Sequence, residues 1–187
     1  MVALVDAVQR GDIPNAEIAI VISDKPDVAG LEKARERGVE TLVIERRGRT
    51  REEHDAEIVT ELKRRDVDLV CLAGYMRLLS PSFVAAFRNS ILNIHPSLLP
   101  AYPGLKIHER VIAAGEKVSG CTVHYVNDDL DAGEIILQRQ VPVLPDDTPE
   151  MLAARILDEE HRIYVEAVKK VLATETTERS ETASSPQ

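Results

Sequence analysis

Apolar runs rich in Ile, Val and Leu alternate along the chain with amphipathic segments. Runs that are apolar at nearly every position are typical of strands covered on both faces of a parallel sheet. The runs of this kind are Glu17 to Ser23, Thr41 to Ile44, Leu69 to Ala73 and Ile91 to His95. This alternation predicts an α/β fold in which helices flank a mostly parallel sheet.

Helix start signals stand between the predicted strands. Thr50 and Glu53 have the spacing of a capping box, in which each side chain caps a backbone amide. Ser80 followed by Pro81 matches an N-cap and a first helical residue. The segment from Val2 to Val8 is also helix-like, so a helix is predicted ahead of the first strand.

The pattern changes in the last third of the chain. Ser119 to Val126 and Glu134 to Val143 are strand-like runs joined by a polar turn, which favours an antiparallel pair at the edge of the sheet. Thr148 and Pro149 then open a long amphipathic helix. Its apolar residues recur at helical spacing and predict core packing, namely Leu152, Ile156, Ile163, Ala167 and Val171.

The segment from Thr174 onward has no apolar content to bury, and it predicts a disordered tail over residues 174–187. Residues 1–173 are therefore expected to form one domain.

The composition argues against several classes of binding partner. With 23 Lys and Arg against 32 Asp and Glu the net charge is −9, which argues against a general nucleic-acid partner. No apolar run reaches the roughly 18 residues that a spanning helix needs, so no membrane partner is expected. The first residues show no secretory signal, and the predicted location is cytoplasmic.

The sequence lacks the motifs of several common kinds of site. Cys71 and Cys121 lie far apart without a CxxC partner, which excludes a disulfide framework. The five histidines show neither HExxH nor paired Cys/His spacing, so no metal is predicted. No Gly-x-Gly occurs among the nine glycines, so a dinucleotide fingerprint is absent.

The densest group of candidate catalytic residues lies at the end of the fourth predicted strand. Asn93 and His95 are two residues apart and therefore share a face of the strand. An amide donor beside an imidazole at the carboxyl end of a strand suits the oxyanion of an acyl transfer. The alternative is a structural polar pair that caps the strand end.

Asp131 lies in the turn that follows the next strand, where aspartates commonly cap backbone amides. Near His95 its carboxylate would instead stabilise an imidazolium. His124 alternates with valines and is expected to be a hydrogen-bonded structural histidine. A Ser-His-Asp hydrolase built on Ser97 is disfavoured, because the Gly-x-Ser-x-Gly elbow is missing.

Four segments together resemble the phosphoribosylglycinamide formyltransferase family of purine biosynthesis. They are Ala73 to Pro81, Leu92 to His108, Gly120 to Val126 and Leu130 to Gln138, in the order and spacing of that family from about Val2 to Leu172. The resemblance implies a Rossmann-like formyltransferase fold. It also implies formyl transfer from 10-formyltetrahydrofolate, as co-substrate, to the amine of glycinamide ribonucleotide.

The resemblance also implies roles for individual residues. Asn93 would donate to the oxyanion, His95 would carry the proton, and Asp131 would keep His95 charged, with His124 and Thr122 in support. The implied folate-binding residues are Met76, Arg77, Leu78, Leu79, Asn127, Asp128, Asp129 and Leu130. The implied ribonucleotide-binding residues are Arg51, Leu157, Asp158, Glu159 and Glu160, of which Glu160 is the expected direct contact.

The start of the chain departs from the family pattern. Relatives carry a strand and a Gly/Ser-rich phosphate loop ahead of the first helix, so the resemblance implies an N-terminally truncated domain with unpaired backbone groups inside its sheet. A 10-formyltetrahydrofolate hydrolase and a folate-binding remnant without turnover stay open as alternatives. A monomer and a homodimer are equally compatible with the sequence.

Overall fold

The computed structural model of the chain describes residues 1–183, of which residues 175–183 are described only as part of a helix. The helices are α1 (Val2–Gln9), α2 (Ala29–Glu36), α3 (Arg51–Lys63), α4 (Pro81–Ala86), α5 (Ile107–Ala113) and α6 (Pro149–Ala183). The strands are β1 (Val21–Ser23), β2 (Thr41–Val43), β3 (Val70–Cys71), β4 (Ile91–His95), β5 (Val118–Tyr125) and β6 (Ile135–Pro142).

The strands form two sheets, one of β1 and β2 and the other in the order β3-β4-β5-β6. β1 pairs with β2 and β3 with β4 in parallel, whereas β4, β5 and β6 pair antiparallel. Both the parallel part and the antiparallel edge predicted from the sequence are thus confirmed. Because β3 and β4 are parallel, the carboxyl end of β3 lies at the same edge of the sheet as His95.

The helix signals are confirmed by the observed caps. The Thr50 hydroxyl accepts the Glu53 amide while the Glu53 carboxylate accepts the Thr50 amide, so the capping box forms in full. Ser80 caps α4 by accepting the amide of Phe83. These bonds satisfy backbone donors that have no partner inside the helix.

Two apolar clusters hold the helices on the sheet. The larger one joins α1, α5 and α6 to β4, β5 and β6, and all five apolar positions of the predicted α6 stripe are buried in it. The smaller one packs α3 and α4 against the strands, with Phe83 and Phe87 at its centre. Helical layers therefore cover both faces of the sheet, as the apolar strand runs require.

The strands at the division between the two sheets are shorter than the sequence predicts. Glu17 to Ser23 yields only Val21–Ser23, and Leu69 to Ala73 yields only Val70–Cys71. β4, in contrast, has a partner on each side and keeps its full predicted length. A residue belongs to a strand only where its backbone is hydrogen-bonded to a neighbouring strand. An apolar run that pairs on one side only therefore forms a shorter strand.

The last helix continues beyond the predicted start of a disordered tail. α6 extends through Thr174 to Ala183, and residues 184–187 lie outside the described part of the chain. Extending an existing helix costs far less than nucleating one, so a polar segment can continue a helix that its apolar predecessor has anchored. Within the described residues no helix is both long and apolar enough to cross a membrane.

A buried ion pair holds the connection between β6 and α6. The Arg155 guanidinium donates to both oxygens of Asp147, at 2.6 and 2.7 Å, and the Leu144 amide donates to the same carboxylate at 2.8 Å. The Arg155 hydrogen bonds, followed by the Leu144 amide, lower the pKa of Asp147 to about 2. Arg155 also donates to the Pro142 carbonyl and so joins the end of β6 to the helix.

Replacing Asp147 with Asn is expected to destabilise the protein in a pH-dependent way. The folded pKa lies below the unfolded value, so the contribution of the carboxylate is complete above about pH 4 and disappears as the pH falls through about 2. Urea unfolding of D147N and the unmodified protein between pH 2 and 7 measures this difference. D12N, which removes only an exposed pair with Arg10, should change stability little at any pH. A D147N deficit that is the same at every pH would contradict the assignment.

Candidate active site

Four polar side chains lie on one face of the β4–β5 pair. Asn93 and His95 alternate with apolar residues on β4, and the antiparallel register sets Asn93 opposite His124 and His95 opposite Thr122. His95, Thr122 and His124 are buried, while Asn93 is half-buried. The strand pairing thus gathers residues some thirty positions apart on one surface.

Asp131 reaches this surface from the turn between β5 and β6. Its backbone has a φ of 50°, in the left-handed region. Its Oδ2 lies 3.5 Å from His95 Nδ1 and accepts the Gly104 amide at 3.0 Å, and its Oδ1 lies 3.9 Å from His124 Nε2. The structure therefore brings Asn93, His95 and Asp131 together in one cluster, as their predicted roles require.

His95 sits between two hydrogen-bond acceptors. Its Nε2 lies 3.0 Å from the Tyr102 carbonyl, and its Nδ1 faces the Asp131 carboxylate. A carbonyl oxygen can only accept, so Nε2 carries a proton and donates it to that bond. A second proton on Nδ1 would face the Asp131 carboxylate.

His124 has the opposite environment. Its Nδ1 donates to the Tyr125 carbonyl at 2.8 Å, which leaves Nε2 as an acceptor for the Asn93 amide at 3.3 Å. Burial lowers the pKa of His124 despite the Tyr125 carbonyl and Asp131, both of which raise it. A neutral His124 accepts one N–H of the Asn93 carboxamide and leaves the second N–H available for another acceptor.

Thr122 supports the loop that follows His95. Its hydroxyl donates to the Ser97 carbonyl at 2.6 Å and accepts the Leu99 amide at 3.1 Å and the Gln138 side chain at 2.9 Å. Gln138 in turn donates to the Leu99 carbonyl. This network joins β5 and β6 to the loop whose Tyr102 carbonyl holds His95.

A close backbone approach fixes the turn that carries Asp131. A Cβ on Gly133 would lie 1.7 Å from the Tyr125 carbonyl oxygen and 3.6 Å from His124 Nδ1. The pairing of β5 with β6 also shifts register at His124, which is a β-bulge beside the cluster. Only glycine fits this approach, so Gly133 determines where the turn meets the histidine.

The two predicted folate loops both present exposed apolar side chains. Met76, Leu78 and Leu130 are more than half exposed, whereas Leu79 packs against the smaller apolar cluster. In the second loop the Asn127 side chain accepts the Asp129 amide, and Asp128 is exposed. Such exposed apolar tips on anchored loops are suited to cover an aromatic ligand.

Arg77 and the buried Asp55 explain how the first of these loops is held. Asp55 accepts the Ser80 amide at 2.6 Å. The Arg77 guanidinium lies 5.9 Å from the Tyr75 ring centroid and 3.9 Å from Asp24, which follows β1. The Arg77 side chain therefore points into the protein.

A cavity of about 190 Å³ adjoins the carboxyl end of β3, next to β4. Among the predicted ribonucleotide-binding residues, Leu157 and Glu160 line it. Burial raises the pKa of Glu160 to about 7. The remaining lining residues are Met1, Ala3, Leu4, Ala73, Gly74, His161 and Tyr164.

The other predicted ribonucleotide residues do not line this cavity. Asp158 is exposed, and Glu159 is paired with Arg162 at 2.8 Å and with Arg139 at 4.0 Å. Arg51 begins α3 and contacts its neighbour Glu52. Their assignment to the substrate stays a prediction.

Two histidines outside the cluster also lie in the interior. His54 is buried, with its Nε2 2.8 Å from the Ile44 carbonyl, because α3 turns this residue toward the smaller apolar cluster. His108 on α5 is not a simple surface residue either. Burial and the charge of His95 lower the pKa of His108, and its Nδ1 is buried without a partner. No local sequence signal marks His108, since its proximity to His95 arises from the fold.

The hydrolase triad considered for Ser97 does not form. The Ser97 hydroxyl donates to the Ala101 carbonyl at 2.6 Å instead of to His95. Within the described residues no three His, Cys, Asp or Glu side chains are grouped as metal ligands would be.

Comparison with known proteins gives a consistent set of similarities. The family model described as "Formyl transferase" matches residues 1–168. Phosphoribosylglycinamide formyltransferase from Haemophilus influenzae is 44% identical over 167 residues, covering 89% of this chain and 78% of that protein. The trifunctional purine biosynthetic protein adenosine-3 of Drosophila melanogaster is 47% identical over 89% of this chain, which spans only 12% of that longer protein.

Similarity extends to solved structures. The crystal structure of glycinamide ribonucleotide transformylase 1 from Symbiobacterium toebii superposes with a TM-score of 0.88 at 51% identity. The alignment covers 90% of this chain and 79% of that one.

Replacing Gly133 with Ala is expected to lower the free energy of unfolding by about 1 to 3 kcal/mol, as overpacking against a rigid neighbour does. The contact is with backbone, so no side-chain rotation relieves it. Urea unfolding provides the measurement. G30A is the control, because its Cβ would meet only Met1 Cε at 3.9 Å. Equal stability of G133A and the unmodified protein would show that the turn can move away from β5.

Proposed function

The chain belongs to the formyl transferase family, and from this premise we propose that it transfers a formyl group from 10-formyltetrahydrofolate to the amine of glycinamide ribonucleotide. The observation that carries the proposal is the cluster of Asn93, His95 and Asp131 at the carboxyl end of β4. Ligands of open α/β sheets bind at this edge.

The reaction needs the protein to stabilise an oxyanion and to transfer protons. The amine lone pair attacks the formyl carbon, the carbonyl electrons move to oxygen, and a negatively charged tetrahedral centre forms. That oxygen needs donors, and the nitrogen of the departing folate needs a proton while the attacking nitrogen loses one. No covalent nucleophile is required, which agrees with a Ser97 that is bonded elsewhere.

Asn93 and His95 would serve the oxyanion together. The Asn93 carboxamide uses one N–H on His124 and retains the other for the substrate oxygen. His95, held between Asp131 and the Tyr102 carbonyl, supplies positive charge and a transferable proton. Asp131 acts through His95 by stabilising its charged form.

The binding surfaces are assigned by their chemistry. The loops of Met76 to Leu79 and Asn127 to Leu130 would hold the folate ring with apolar tips and backbone groups. Glu160 in the cavity would accept hydrogen bonds from the polar ribonucleotide, with Leu157 beside it. Arg51 would hold an anionic group through its fork of donors.

Incubation with formyl folate, with and without glycinamide ribonucleotide, tests the proposal directly. Donor consumption that requires the amine and yields formylated product is the expected result. Consumption without the amine would instead identify a hydrolase. Calorimetric binding of folate with neither activity would identify a remnant without turnover.

His95→Ala and Asp131→Ala are each expected to lower kcat by about 10² to 10⁴-fold, because both groups act mainly in the transition state. Asp131→Ala also removes the acceptor of the Gly104 amide and is expected to destabilise the fold more than His95→Ala. Steady-state kinetics with circular dichroism of each variant checks this expectation. D12N serves as the control, because Asp12 is exposed and remote in sequence from His95 and Asp131. Normal turnover in both site variants would refute the mechanism.

A further inference from the structure

Backbone groups of the loop between β4 and α5 hold two side chains of the candidate site. The Tyr102 carbonyl accepts from His95 Nε2 at 3.0 Å, and the Gly104 amide donates to Asp131 Oδ2 at 3.0 Å. The placement of His95 relative to Asp131 therefore depends on the backbone from Tyr102 to Gly104.

The peptide group between Pro103 and Gly104 is hydrogen-bonded at both ends. Its carbonyl, on Pro103, accepts from the Arg110 guanidinium at 2.7 Å, and its N–H, on Gly104, donates to the Asp131 carboxylate. The C=O and N–H of a trans peptide point in opposite directions, so this peptide lies between a cation and an anion. Both bonds involve a charged partner, and each polarises the peptide in the sense that strengthens the other.

The residues of this peptide do not by themselves determine its orientation. Gly104 has a φ of 80°, and a Cβ added there would meet nothing within 4 Å, so packing does not restrict this position. At a Pro-Gly step the two common turn types differ by a flip of the central peptide. A flip would turn the N–H away from Asp131 and the carbonyl away from Arg110, so both bonds would be lost together.

Arg110 reaches back to this loop from the middle of α5. Helical side chains tilt toward the helix N-terminus, which brings the guanidinium over the segment that precedes the helix. It also donates to the Leu105 carbonyl at 3.3 Å and lies 5.3 Å from the centroid of the Tyr102 ring. The planar group with five donors is suited to bind carbonyls and a ring face at the same time.

The Tyr102 ring has a second polar contact, because its hydroxyl donates to Glu116 at 2.7 Å. The Tyr102 backbone has a φ of 56°, in the left-handed region, which a tyrosine keeps only where surrounding contacts compensate for the strain. The contacts of its ring with Arg110 and Glu116 are of this kind. The same arginine therefore also supports the residue whose carbonyl holds His95.

We propose that Arg110 is a positioning residue of the candidate active site. It fixes the plane of the Pro103–Gly104 peptide, and through this plane it orients the Asp131 carboxylate toward His95. Arg110 acts through the backbone and not on the substrate. Its side chain is exposed, so its contribution to the stability of the whole fold is small. Only the kinetic consequence of this inference rests on the proposed function.

The variant R110M keeps the apolar stem of the side chain and removes its donors. It is expected to lower kcat about tenfold and to change the KM of either substrate less than about twofold, because the cluster is misaligned while the binding surfaces are unchanged. Tm should fall by less than about 2 °C. R110K can still donate to one carbonyl and should bring kcat to within about threefold of the unmodified value.

The matched control is R64M. It removes an exposed arginine of α3 that pairs with Glu61, and it should leave kcat unchanged.

NMR of the Gly104 amide measures the peptide plane without any substrate. The chain has nine glycines, so selective isotope labelling of glycine gives a simple spectrum. R110M should accelerate hydrogen exchange of the Gly104 amide at least about tenfold and shift its proton resonance upfield, because the bond to the Asp131 carboxylate is weakened. The Gly120 amide, within β5, should not change and serves as the internal reference.

An unchanged kcat in R110M would overturn the proposal, and so would an unchanged Gly104 amide. Equal losses of kcat in R110M and R110K, with Tm lowered by more than about 5 °C, would overturn it as well, since Arg110 would then act on the fold as a whole. If the unmodified protein transfers no formyl group, the proposed function fails, and the Gly104 measurement by itself decides the inference about Arg110.

Discussion

The Asp131 carboxylate is the contact on which the candidate active site depends. It accepts the Gly104 amide with the same oxygen that faces His95, and its second oxygen faces His124. One side chain thereby fixes the β5–β6 turn and the loop after β4 relative to the end of β4 itself. A largely covered carboxylate needs such partners, so the contacts that give Asp131 its electrostatic role also position the two loops.

The two histidines near Asp131 show how environment separates chemically identical side chains. His124 donates to a backbone carbonyl and accepts from Asn93, and burial favours its neutral form. His95 has an acceptor at each nitrogen. In the proposed mechanism the neutral His124 orients the amide donor and His95 transfers the proton, so the oxyanion and proton tasks fall to different groups.

The parts of the candidate site lie on strands with different numbers of partners. Asn93, His95 and His124 lie on strands that are paired on both sides, so the reacting groups have a rigid base. The cavity with Glu160 adjoins β3, which has a partner on one side only. The catalytic cluster and the cavity therefore rest on parts of the sheet with different support.

Local signals in the sequence determined the secondary-structure elements, because capping and periodicity depend on neighbouring residues. These signals include both helix caps, the antiparallel strand pair and the apolar stripe of α6. Asn93 and His95 were also predictable, since strand alternation alone places them on one face. The meeting of Asp131 with His95, the burial of His54 and the approach of His108 were decided by tertiary structure. Each of these depends on loop paths and packing between segments remote in sequence, which no local pattern encodes. For the same reason the trimmed lengths of β1 and β3 follow from which strands find partners, not from their own residues.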